Sequence, residues 1–179
     1  DLNLEYISNE NKNLKKVLDT EDVQSVSNVV LAKVLVDRNS PFLKSIIINK
    51  GSREGIIKGM PVTQNKYLVG RIVETNYLSS RVLLLNDLNS RIPVTFGEGI
   101  QAILKGNGSS KPILEYLPEG YIIEDGIDVF TSGKDGIFLP GSPIGKTNEK
   151  GEVRLFSDSS QLSFVKVDMS KQNKEVFWW

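Results

Sequence analysis

The chain has 179 residues, 22 Lys plus Arg against 22 Asp plus Glu, 39% hydrophobic residues, and neither Cys nor His. This composition supports a buried core in one large or two small domains, and it lacks the cationic surplus that sequence-independent nucleic-acid binding needs. Without His there is no imidazole for Ser-His-Asp or Cys-His catalysis or for the usual catalytic zinc, and without Cys there is no disulfide or thiolate chemistry.

Residues 1–22 read as a coiled-coil-type helix. Leu4, Ile7, Asn11, Leu14 and Leu18 step by three and four, the spacing of an a/d seam. Asn11 falls at an a-type position, where a polar residue fixes register and oligomer state. The stripe serves either as a self-association seam or as the face that packs on the chain's own domain, because an isolated helix of this length is marginal. No apolar run approaches the roughly 20 residues that span a bilayer. The chain opens at Asp1 in mid-helix pattern, so we read it as a fragment, with a signal or a membrane anchor as the segment expected ahead of it.

After Asp19 the period changes to two. Val30, Ala32, Val34 and Val36 alternate with Leu31, Lys33, Leu35 and Asp37, as on a half-buried strand. Further strands are expected at 42–49, 67–74, 81–86 and 91–96, then at 99–105, 112–117, 127–131, 142–147, 153–156 and 164–168. Residues 49–61 carry Gly51, Gly55 and Gly59 and read as turns. No helical crossover separates the strands, so a parallel sheet is not expected. About eleven short strands exceed one small barrel. The predicted fold is all-β with an N-terminal helix and two small β-barrels: residues 23–98 for the first, 99–169 for the second, with the boundary at Gly97-Glu98-Gly99 and a polar tail at 170–179 that ends in Trp178-Trp179. The order of strands leaves open whether 164–168 closes the second barrel or returns to the first.

Three motifs invite chemistry. Gly141-Ser142-Pro143-Ile144-Gly145-Lys146-Thr147 is one residue short of a phosphate-binding loop and runs into a turn, Asn148-Glu149-Lys150-Gly151, instead of a helix. Asn86-Asp87-Leu88-Asn89-Ser90 lacks the Gly and Glu of a calcium loop. Ser132 and Lys134 leave one narrow enzymatic reading, a Ser-Lys hydrolase, which needs a buried Lys within reach of the hydroxyl. We therefore expect a non-catalytic module with no cofactor, no metal site and no nucleic-acid partner.

Four stretches together resemble the bacterial rod-shape-determining MreC family. They are Ile48-Asn49-Lys50-Gly51 through Gly55-Ile56-Ile57-Lys58-Gly59-Met60-Pro61-Val62; Leu68-Val69-Gly70-Arg71-Ile72-Val73; Ser79-Ser80-Arg81-Val82-Leu83-Leu84-Leu85-Asn86-Asp87 with Ile92-Pro93-Val94; and Asp128-Val129-Phe130-Thr131-Ser132-Gly133 with Gly136-Ile137-Phe138-Leu139-Pro140-Gly141-Ser142-Pro143-Ile144-Gly145. Their order and spacing carry the likeness. Glu124-Asp125-Gly126-Ile127-Asp128 departs from it, since the family more often places Gly-Asp directly before the strand. The resemblance implies a membrane-anchored scaffold of cell elongation, on the periplasmic or extracytoplasmic face of the inner membrane. It also implies barrels similar to the chymotrypsin-type pair without a catalytic triad. Implied partners are further copies of the chain, MreD, MreB and the elongation penicillin-binding protein with its glycosyltransferase. A periplasmic adaptor of an export complex is the other non-catalytic reading, though adaptors carry a long helical hairpin.

Overall fold

The computed structural model of the chain describes residues 2–19, 28–39 and 43–170 apart from 137 and 139, and for 12–19, 38 and 39 the backbone alone. A helix, α1 (Leu2–Asp19), leads into strands β1 (Val29–Asn39), β2 (Lys44–Ile48), β3 (Pro61–Gln64), β4 (Tyr67–Thr75), β5 (Ser80–Leu84) and β6 (Arg91–Phe96). There follow β7 (Ile100–Lys105), β8 (Ile113–Glu115), β9 (Asp128–Thr131), β10 (Pro143–Thr147), β11 (Val153–Leu155) and β12 (Phe164–Asp168). The expected strands are present. β3 was not expected: at four residues behind a Gly-punctuated loop it is too short to show a period.

Six strands close the first barrel in the order β1-β12-β3-β4-β5-β2, with antiparallel pairing throughout. Its core holds Ala32, Ile46, Ile48, Val62, Val69, Ile72, Val82, Leu84, Val165 and Val167, the inward residues of alternating strands. The alternation in β1 holds as far as Val34, where a register shift against β2 intervenes. Past this bulge Leu35 and Val36 are both exposed, so the expected inward Val36 points to solvent.

The second sheet runs β11-β10-β9-β6-β7-β8. Its two end strands meet through a bridge between Ile113 and Glu152, reinforced by Leu114 N–H donating to the Gly151 carbonyl and Val153 N–H to that of Pro112, both at 2.8 Å. This barrel-like sheet encloses Ile92, Val94, Phe96, Leu104, Val129, Phe138, Ile144 and Val153.

Strand pairing corrects the expected domain boundaries. β6 belongs to the second sheet, and β12 returns to the first barrel between β1 and β3. The stretch Gly97-Glu98-Gly99 is no boundary: it is the tight turn of the β6–β7 hairpin, with Phe96 opposite Ile100 and positive φ at both glycines. The chain crosses between barrels at residues 85–90 and again at 156–163, neither of which contains a Gly. Residues 20–22 of the expected helical segment and 171–179 of the tail, Trp178-Trp179 included, lie outside the described residues.

Asp87 organises the first crossing. It is buried, and its two carboxylate oxygens accept the backbone N–H of Lys44 at 2.7 Å and of Asn89 at 2.8 Å. The Asn86 carbonyl accepts Gly108 N–H at 2.8 Å, and the Ser90 carbonyl accepts Gly106 N–H at 3.0 Å. A side chain on Gly106 would overlap the Asp87 carbonyl, so only glycine fits there. Leu68, on β4 of the first barrel, is buried in the core of the second. Tyr67 and Phe156 stack beside it with ring centroids 4.9 Å apart.

Candidate association surfaces

The turns that suggested chemistry have structural work. Residues 143–147 of the phosphate-loop lookalike form β10, and Asn148 Oδ1 accepts the N–H groups of Lys150 and Glu152 at 3.0 and 2.9 Å, which closes the β10–β11 hairpin. The calcium lookalike is the Asp87 joint, with both oxygens occupied by backbone N–H groups. Ser132 Oγ accepts the backbone N–H of Lys134 at 3.4 Å, and the Lys134 side chain is exposed. The buried lysine among the described residues is Lys166, on β12 of the other barrel.

What the surface offers instead is apolar side chains facing solvent. On α1, Leu4 is 68% and Ile7 52% exposed, and Leu2 and Tyr6 are exposed beside them. Asn11 is exposed too. These three members of the expected stripe are all exposed; the side chains of Leu14 and Leu18 lie outside the described residues.

An ion pair sets the helix against the first barrel. Lys33 Nζ on β1 donates to Glu10 Oε1 at 3.1 Å. The hydrogen bond to Glu10, and then the charges of Glu10 and Tyr6, raise the Lys33 pKa above its ordinary value. A raised lysine pKa means the pair's contribution is complete below about 10.4 and fades as the pH climbs through the raised value. Both side chains are partly in water, so the pair orients the helix more than it holds it. Between helix and barrel lies a shallow cavity of about 230 Å³ lined by Tyr6, Asn9, Glu10, Lys33, Leu162 and Phe164.

Two further turn tips expose apolar groups. Residues 49–60 join β2 to β3, and 76–79 join β4 to β5; Ile57, Tyr77 and Leu78 stand out from them. Tyr116 and Ile122 stand out from the loop after β8, where Tyr116 takes a left-handed backbone (φ 61) that ends the strand after three residues. Sequence patterning foresaw the α1 helix through its spacing. It missed the turn tips, because in Ile56-Ile57 nothing local tells which residue plugs the barrel and which faces out.

A closed six-stranded barrel, a second six-stranded barrel-like sheet joined to it, and a leading helix define a paired-barrel β module. Residues 34–172 match the family described as Rod shape-determining protein MreC, barrel core. The Cell shape-determining protein MreC of Cereibacter sphaeroides is 37% identical over 152 residues, covering 82% of this chain and 51% of that protein. The chain thus spans about half the length of that curated relative. A solved structure described as MreC superposes with a TM-score of 0.79 at 25% identity, covering 90% of this chain and 98% of that one. The chain also shares its fold with the MreC of a complex between Penicillin-Binding Protein (PBP2) and MreC from Helicobacter pylori, at TM-score 0.57 and 16% identity over 79% and 98% of the two chains. The chain belongs to the MreC family of rod shape-determining proteins.

Proposed function

We propose that this chain is the extracytoplasmic part of a non-enzymatic scaffold of cell elongation, anchored in the inner membrane by a segment ahead of α1. Its mechanism is association. Two copies meet along Leu4, Ile7, Asn11, Leu14 and Leu18, and the paired barrels present loops and strand edges to peptidoglycan-synthesis proteins. The observation that carries this reading is the exposure of Leu4 and Ile7 on the leading helix of a family member. Burying such side chains stabilises a dimer by about 1.5–3 kcal/mol each, offset by the entropy of association.

The partner reading draws on the Helicobacter pylori MreC, which is found in a complex with PBP2. An elongation penicillin-binding protein is accordingly the first proposed partner, with MreD and MreB beside it through the proposed anchor. The non-enzymatic reading is supported by a sequence without His and by a Ser132 whose neighbouring Lys134 is exposed. Complementation of cell shape by the full-length protein tests both halves. Ser132→Ala should restore rod shape as well as the parent does, and Leu14→Asp with Leu18→Asp should not. Failure of Ser132→Ala at normal protein level would favour a Ser-Lys hydrolase; full rescue by the double Asp variant would remove the helical seam from the mechanism.

A further inference from the structure

We infer that one pole of the first barrel, formed by residues 51–60 and 76–79, docks on an anionic lipid bilayer. This goes beyond the scaffold reading and does not depend on an anchor ahead of α1. The two loops emerge side by side, because Ile48 at the end of β2 pairs with Ser80 at the start of β5. They are then fastened to one another. Ser52 N–H donates to the Asn76 carbonyl at 2.9 Å, Arg53 N–H to the Tyr77 carbonyl at 3.1 Å, and the Ser80 hydroxyl to the Lys50 carbonyl at 2.8 Å. A side chain on Gly51 would collide with the backbone of Asn76, so the close approach requires glycine.

Within this pole the sequence divides its apolar residues sharply. Ile56 and Met60 are buried and plug the barrel end. Ile57 is 45% exposed, Tyr77 66% and Leu78 57%. Around them stand the exposed side chains of Arg53 and Lys58. The one carboxylate in the two loops, Glu54, is half-buried and accepts Gly51 N–H at 2.8 Å. The tips of the pole therefore combine apolar side chains with two cations, while Glu74 at the end of β4 is paired with Arg81 at 3.2 Å.

That combination matches the chemistry of a membrane interface. Tyrosine sits at headgroup depth with its ring in the apolar region and its hydroxyl in water, Leu and Ile reach the acyl boundary, and Arg and Lys meet lipid phosphates. Ile57, Tyr77 and Leu78 sit on two small turn tips, whereas a stable protein partner covers a continuous face of roughly 800 Å². A bilayer needs no such continuous area, because each inserted side chain adds its own transfer energy.

The test is sedimentation of the full 179-residue chain with vesicles of phosphatidylglycerol and phosphatidylethanolamine, beside vesicles of phosphatidylcholine. The chain should pellet with the anionic vesicles and not with the neutral ones. Arg53→Ala with Lys58→Ala should weaken binding about 25-fold, at roughly fivefold per cation near an anionic surface. Tyr77→Ser with Leu78→Ser should abolish it. The chain contains no Cys, so Leu78→Cys accepts a single polarity-sensitive dye, an apolar group in place of the leucine, and reads the depth of the loop directly. Its emission should shift to the blue with anionic vesicles, and that of a dye on Tyr116→Cys in the second barrel should not. The inference is overturned by absence of pelleting, by equal binding to neutral vesicles, by variants that bind like the parent, or by a dye at position 78 that stays in water.

Discussion

Asp87 shows how much one buried carboxylate can hold. Its oxygens accept two backbone N–H groups, one of them 43 residues away on β2, and its carbonyl lies under Gly106 of the second barrel. Hydrogen bonds to a charged group contribute about 1.5–3 kcal/mol each, and a buried donor left without an acceptor adds its desolvation cost. Asp87→Ala should therefore lower stability by about 3 kcal/mol or more in urea unfolding. A loss below about 1 kcal/mol would contradict the joint. The sequence made the turn at Asn86-Asp87 legible, since Asp and Asn favour such geometry. It left the partner illegible, because the Lys44 N–H carries no side-chain signature. Gly106 was equally opaque: as a letter it reads as a loop residue, and only the Asp87 carbonyl above it shows why glycine is required.

At the level of elements, α1 and the barrels are built on different terms. The strands were legible because β-branched residues alternate, and the helix because its apolar residues step by three and four. What spacing could not tell was which surface the helical stripe meets. None of the described α1 residues belongs to either core. Deleting residues 1–19 should therefore leave the barrels folded, with Tm moved by less than about 4 °C in a thermal scan. A larger fall would mean that the stripe packs on its own barrel after all. The β1 bulge teaches the same lesson on a smaller scale. Val36 fits the alternating pattern by letter, yet the extra residue turns it to solvent, and no local signal announces the shift.

For the whole molecule, the count of two barrels followed from the number of strands, but their seam did not. Glycines mark tight turns well, so the β6–β7 hairpin looked like a boundary, while the true crossings at 85–90 and 156–163 contain none. The return of β12 to the first barrel rests on pairing with β1 and β3, more than a hundred residues earlier, which no window of sequence reveals. Crossing twice, and sharing Leu68 with the second core, the barrels should unfold together in one calorimetric transition. Leu68→Ala should cost about 2–5 kcal/mol; two separate transitions in the parent chain would show that the barrels are independent. The central claim, that the module works by association through its helix, is tested most directly by sedimentation equilibrium over a range of concentrations. The mass of the parent chain should rise from 19.9 kDa toward twice that value, and Leu4→Asp with Ile7→Asp, two exposed positions, should hold it at 19.9 kDa. A parent that stays monomeric throughout, or a variant that assembles equally well, would contradict the account.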